Sequence, residues 1–176
     1  MAAPERKRLF FALWPDPAVS DGLAAAARAA HARCGGRMMR RDGLHLTLVF
    51  VGEVAEPVVE TLHRAASRVS ADAFELSFDR YGCWRRKGIV WAGCAAAPPL
   101  DELVGQLARN LSESGLQLEE REFSAHLTLL RNARCADLPS FEAIDWPVAE
   151  FVLVESQRSA SGSAYTIIGR WPLASP

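Results

Sequence analysis

The stretch His45-Leu46-Thr47-Leu48 returns, residue for residue, as His126-Leu127-Thr128-Leu129. Each copy lies in a short aliphatic run, Leu44 to Val51 and Ala125 to Leu130, of the kind that forms a buried strand. Side chains alternate across a strand, so His45 and Thr47 share one face while Leu46 and Leu48 take the other. His126 and Thr128 stand in the same relation to Leu127 and Leu129. The leucines then belong to a core and the His-Thr faces to a cleft. Two identical strands in one small chain predict two halves that face each other, each offering one imidazole.

The chain around these strands has 176 residues, enough to bury a good core, and is expected to form one domain of two lobes. Its composition, 49% apolar and 23% charged, is that of a soluble globular protein. No apolar run approaches the roughly 20 residues that span a bilayer. The basic start, Met1 to Arg8, leads into Leu9 to Trp14, but Pro15-Asp16-Pro17 cuts the apolar run too short for a secretory signal. It reads instead as a first strand, and the protein as cytoplasmic with no membrane contact. Cys34, Cys83, Cys94 and Cys135 are scattered, without a Cys-x-x-Cys pair, and read as reduced, partly buried thiols. A formal net charge of −1 argues against a broad basic surface for duplex nucleic acid but leaves room for a local basic cleft. Arginines do cluster: Arg37, Arg40 and Arg41 before the first motif, Arg131 and Arg134 after the second, and Arg85 and Arg86 with Lys87 between. A solvated face is the default reading of such clusters.

Taken in order, Arg8 to Trp14 reads as a strand with both faces buried. Asp16 is a plausible N-cap and Pro17 a first helical residue. The alanine-rich segment from Ala18 to Arg33 follows as a helix, stopped by Gly35-Gly36. Glu56-Pro57 opens a second helix, with Val58, Val59, Leu62, Ala66 and Val69 as its apolar stripe. Phe74 to Phe78 alternates as a strand, and Ile89 to Cys94 is its partner across a polar turn from Tyr81 to Gly88. Pro98-Pro99 introduces a third helix, Leu100 to Glu113. After the second motif, Ala149 to Ser156 and Ala164 to Trp171 read as strands joined by Ser159 to Ser163. This order predicts an α+β, bilobal fold: two pseudo-symmetric antiparallel-sheet lobes around a central cleft, with the helices outside.

Two imidazoles across a cleft suit general acid–base catalysis, because histidine titrates near pH 6.5 and both forms exist near neutrality. One neutral ring takes a proton from an attacking water while the other, protonated, donates to a leaving oxygen. Each threonine, on the same face as its histidine, offers a hydroxyl to a phosphoryl oxygen, and a nearby arginine adds charge. Two histidines without a suitably spaced third ligand make a poor zinc set, so neither metal nor cofactor is expected. His31 falls near the C-terminal end of the first helix, where it suits the helix dipole, and His63 reads as a solvent-facing or helix-packing residue. This is phosphodiester chemistry of the ribonuclease type, in particular the opening of a strained cyclic phosphate.

The paired motifs resemble those of the two-histidine (2H) phosphoesterase superfamily, and within it the RNA 2′,3′-cyclic phosphodiesterases, also called 2′-5′ RNA ligases. Arg8-Leu9-Phe10-Phe11-Ala12-Leu13 resembles that family's opening strand, and Gly52-Glu53 after the first motif is similar as well. Phe123-Ser124-Ala125 and Arg131 flank the second motif in the family's manner, although many members carry a proline before the histidine. Val154-Glu155-Ser156 and Tyr165-Thr166 resemble its last two strands. The resemblance implies metal-independent hydrolysis of an RNA 2′,3′-cyclic phosphate end to a 2′-phosphomonoester, with reversible 2′-5′ ligation in some members. By the same resemblance His45 donates a proton to the departing O3′ and His126 activates water. Thr47 and Thr128 hold the non-bridging oxygens and Arg131 adds positive charge. Strict alternation from His126 would point Arg131 away from the site, so it must lie past the strand end or at a bulge.

Phe11, Trp14, Trp84 and Tyr165 are the aromatic candidates for stacking a terminal base, with Phe11 and Tyr165 placed in the substrate site. The partners expected are RNA bearing 2′,3′-cyclic phosphate ends or cyclic nucleotides, and the protein itself is expected to be a monomer. Two alternatives stand beside this reading. One is another 2H activity on a small cyclic nucleotide phosphate. The other is a non-catalytic module that grips RNA ends or a nucleotide, which the intact pairs of histidines and threonines disfavour.

Overall fold

The computed structural model describes residues 6–119, 122–134, 137–160 and 162–175. Met1 to Glu5, Cys135 and Ser161, on which expectations were placed above, lie outside them. The strands are β1 (Arg6–Leu13), β2 (Arg37–Met38), β3 (Leu46–Ala55), β4 (Phe74–Trp84), β5 (Ile89–Cys94), β6 (Leu127–Arg131), β7 (Ile144–Val148), β8 (Glu150–Ser159) and β9 (Gly162–Pro172). The helices are α1 (Pro17–Cys34), α2 (Glu56–Ala66) and α3 (Pro98–Glu113). The α+β class is as expected.

The α1 boundaries follow from local chemistry. Asp16 sits in extended conformation and its carboxylate accepts from the Val19 amide, while Pro17 fills the first turn, where its missing N–H costs nothing. Gly35 ends the helix at φ 59°, a conformation that a Cβ would strain. Leu23, Ala27 and Ala30 then face the sheet and are fully or almost fully buried. On α3, Leu100, Leu103, Leu107 and Leu111 form the corresponding stripe. The apolar residues buried by all three helices belong to one core cluster with Leu9, Phe11 and Leu13 of β1. Phe10 and Ala12 of the same strand point the other way and pack with Val152 and Val154 of β8 in a second, smaller cluster. The helices therefore cover one face of the sheet, and the opposite face is left for a site.

The expected pair of sheets is not what forms. A single antiparallel sheet runs in the order β7-β4-β5-β6-β3-β1-β8-β9, with β2 pairing off this path onto β6. The two halves meet where the motif strands touch, and the pairing there is Leu46 opposite Leu127. The lobes are thus halves of one sheet, with the two motif strands side by side at the join.

Three further readings are corrected. The segment from Tyr81 to Trp84 is not turn but the continuation of β4, paired through Trp84 with Ile89. β7 went unread, because Pro147 interrupts a short alternating run. As an edge strand that pairs with β4 alone, it tolerates a residue with no N–H to donate. Cys83 is disulfide-bonded rather than reduced, whereas Cys34 and Cys94 are free and buried. No helix of the described chain is long and apolar enough to cross a membrane.

Candidate active site

Both motif histidines stand immediately before their strands, and each ring is held in the same way. Nδ1 of His45 donates to the Gly43 carbonyl at 2.7 Å, and Nδ1 of His126 donates to the Ser124 carbonyl, also at 2.7 Å. A carbonyl only accepts, so the proton of each neutral ring is fixed on Nδ1. Nε2 is left with its lone pair, ready to accept or carry a catalytic proton. Leu46 of the first motif pairs with Leu127 of the second, and this brings His45 and Thr47 into one pocket with His126 and Thr128. The four side chains line one pocket of about 110 Å³, together with Arg131 and Tyr165.

Arg131 reaches this pocket because β6 is bulged. Thr128 pairs with Trp91, but the next pair is Leu130 with Val90, which leaves Leu129 as an extra residue. Leu129 and Leu130 are both buried, and the alternation behind them is reversed, so Arg131 returns to the His-Thr face. The first motif carries the same device. Thr47 pairs with Ala12 and Val49 with Phe11, leaving Leu48 as the extra residue. The third and fourth residues after each histidine are thus consecutive core positions in both strands.

The two rings differ in their surroundings. His45 is enclosed by Phe10 at 4.9 Å, Trp14 stacked on it at 5.1 Å, and Tyr165 at 5.2 Å between ring centroids. This apolar enclosure removes water from the imidazole and pushes its pKa down to about 4, against the raising effect of the Gly43 hydrogen bond; the charges of Arg131 and His126 lower it further. His126 meets the edge of Trp84 at 4.5 Å, with Trp91 at 6.4 Å. Its pKa is also lowered, first by desolvation, again against its own backbone hydrogen bond, with Arg131 and Lys87 adding repulsion. In the free protein both shifts favour the neutral ring.

The structure gathers His45, His126, Thr47, Thr128, Arg131 and Tyr165 of the residues expected in the site. It does not bring Phe11 there. Phe11 is fully buried among Phe151 and Trp171 on the helix-covered side. The ring that serves the site is Phe10, one residue earlier and on the opposite face of β1. Sequence alone could not separate the two, since both faces of that strand are buried. His63 packs on Trp171 and His31 donates to the Gly36 carbonyl, both away from the site.

Comparison with known proteins agrees with this geometry. The LigT-like phosphoesterase family model matches residues 13–91. An RNA 2′,3′-cyclic phosphodiesterase of Escherichia coli K12 is 33% identical over 172 residues, covering 96% of this chain and 98% of that protein. One from Archaeoglobus fulgidus is 27% identical over 169 residues, covering 90% and 96%. The crystal structure of E. coli LigT complexed with 3′-AMP superposes with a TM-score of 0.87 at 32% identity, over 96% of this chain and 99% of that one. A twofold motif, a shared fold and full-length similarity thus converge, and the chain belongs to the LigT-like family of two-histidine phosphoesterases.

Proposed function

We propose that the protein hydrolyses RNA 2′,3′-cyclic phosphate ends to 2′-phosphomonoesters, with its two motif histidines as general acid and base. The observation that carries this reading is the matched tethering of the rings. Each Nδ1 is committed to a backbone carbonyl, so both Nε2 atoms are left for a substrate in one small pocket. His126 takes the proton of the attacking water and His45 protonates the departing O3′. An imidazolium with a pKa near 4 is a strong proton donor, and the phosphate anion provides the field that loads it. Thr47, Thr128 and Arg131 hold the non-bridging oxygens where charge develops. The relatives named RNA 2′,3′-cyclic phosphodiesterase support this substrate class. Reversible 2′-5′ ligation is the same chemistry with an RNA hydroxyl in place of water. A cytoplasmic location and a monomeric state belong to the same proposal.

Substitution tests the reading. His45→Gln and His126→Gln are each expected to lower turnover of a cyclic-phosphate RNA by about 10²- to 10⁴-fold while leaving the fold and RNA binding in place. Full turnover in either variant would refute the acid–base roles. Tight binding without turnover in the unsubstituted protein would favour the non-catalytic module.

A further inference from the structure

The catalytic pocket opens into a larger cleft of about 590 Å³, which shares His45, Thr47, Arg131 and Tyr165 with it and adds residues that the chemistry above does not use. On β1, Arg8 shares a face with Phe10. On β3, the bulge at Leu48 turns Phe50 to the site face, the position that Arg131 holds in the second motif. Phe50 is 37% exposed, a large ring left open to solvent, and the Arg8 guanidinium lies over it at 4.6 Å. Arg37 comes from β2, and a Cβ built on Gly162 at the β8–β9 tip would stand 3.5 Å from its Nη1. Arg158 completes the wall from β8. Arg8 is partly desolvated, and the charge of Arg158 adds to burial in lowering its pKa. The carboxylate among the described lining residues, Asp42, is held by Arg40. Like charges gathered beside an open aromatic ring leave a place that an anion relieves and a base covers.

Resting on the cyclic-phosphodiesterase reading, we infer that this cleft is a second-nucleotide subsite, which stacks the penultimate base of an oligoribonucleotide on the Phe50–Arg8 pair and holds its phosphate between Arg37 and Arg158. The subsite makes an RNA end, rather than a cyclic mononucleotide, the preferred substrate. A ring with a guanidinium stacked on it accepts any base, so the preference is for chain length and not for sequence. A solvated surface cluster would not account for Phe50, whose exposure has a use when a planar group covers it.

The test compares kcat/KM for adenosine 2′,3′-cyclic phosphate, the same nucleotide carrying a 5′-phosphate, and an ApA dinucleotide ending in the cyclic phosphate. In the unsubstituted protein the dinucleotide is expected to exceed the mononucleotide by about tenfold or more. Phe50→Ala and the Arg37→Ala/Arg158→Ala pair are each expected to bring that ratio toward one. A ratio of one in the unsubstituted protein overturns the inference, as does a ratio that survives both variants. It is equally overturned if the 5′-phosphate alone gives the whole gain and Phe50→Ala changes nothing. Should none of the three be turned over, the catalytic reading fails on its own, and the ratio of their dissociation constants judges the subsite separately.

Discussion

At the scale of the residue, the site depends on how two imidazoles are kept from water. Burial depresses both pKa values, that of His45 to about 4. The proposed acid–base mechanism needs one ring neutral and one protonated, so under it the free protein is competent between the lower pKa and the upper one. Because both fall below 6.5, kcat/KM is expected to peak on the acid side of pH 6.5 and to fall about tenfold per unit once pH passes the upper value. A profile flat to pH 8 would contradict the account. Trp14→Leu opens one face of His45 to solvent, which lets its pKa rise and moves the acid limb of the profile upward. An acid limb left in place would show that the stacked ring has no part in the shift. The two histidines and two threonines that line the pocket were legible because the same four residues recur in one pattern. The enclosure was less so: Trp14 and Tyr165 could be named only as candidate stacking rings, and Phe10 could not be told from Phe11. Which of two buried faces meets a histidine is decided by the pairing of distant strands.

At the scale of the element, the capping and stripe patterns predicted the first and third helices closely, because Asp16-Pro17, Gly35 and the leucine spacing act within a turn or two of chain, whereas Val69, read into the second helix's stripe, lies past its end at Ala66. The strands were harder where long-range pairing sets their ends. Tyr81 to Trp84 contains Gly82 and reads as turn, yet it continues β4. Gly82 is there for packing: a Cβ at that position would overlap the Trp91 indole, which lies flat across it. Trp91 in turn contacts Trp84, and both flank His126. Gly82→Ala is therefore expected to destabilise the fold by about 1–3 kcal/mol, read from the denaturation midpoint, as the ring is driven from its seat. Unchanged stability would mean that the indole moves freely and does not brace His126. The bulges at Leu48 and Leu129 were the least legible feature. The apparent conflict over Arg131 was their only trace in the sequence.

At the scale of the whole molecule, the α+β class followed from the order of elements, while duplication of the motif led to an expectation of two lobes where one continuous sheet forms. The expectation of two facing sheets failed because a strand pattern does not specify its partner. The motif strands pair with each other at Leu46 and Leu127, and this joins the halves into one sheet with both histidines on the face the helices leave free. Charge was legible only in part. A net value of −1 hides a cleft in which arginines from β1, β2, β6 and β8 converge. We propose that this face opens a cyclic phosphate by proton transfer between two imidazoles, with O3′ leaving. The most direct measurement is the product formed from a short RNA ending in a 2′,3′-cyclic phosphate, incubated with the protein in EDTA. The account predicts turnover to a 2′-phosphomonoester; a 3′-phosphate, or RNA that stays bound and intact, would contradict it.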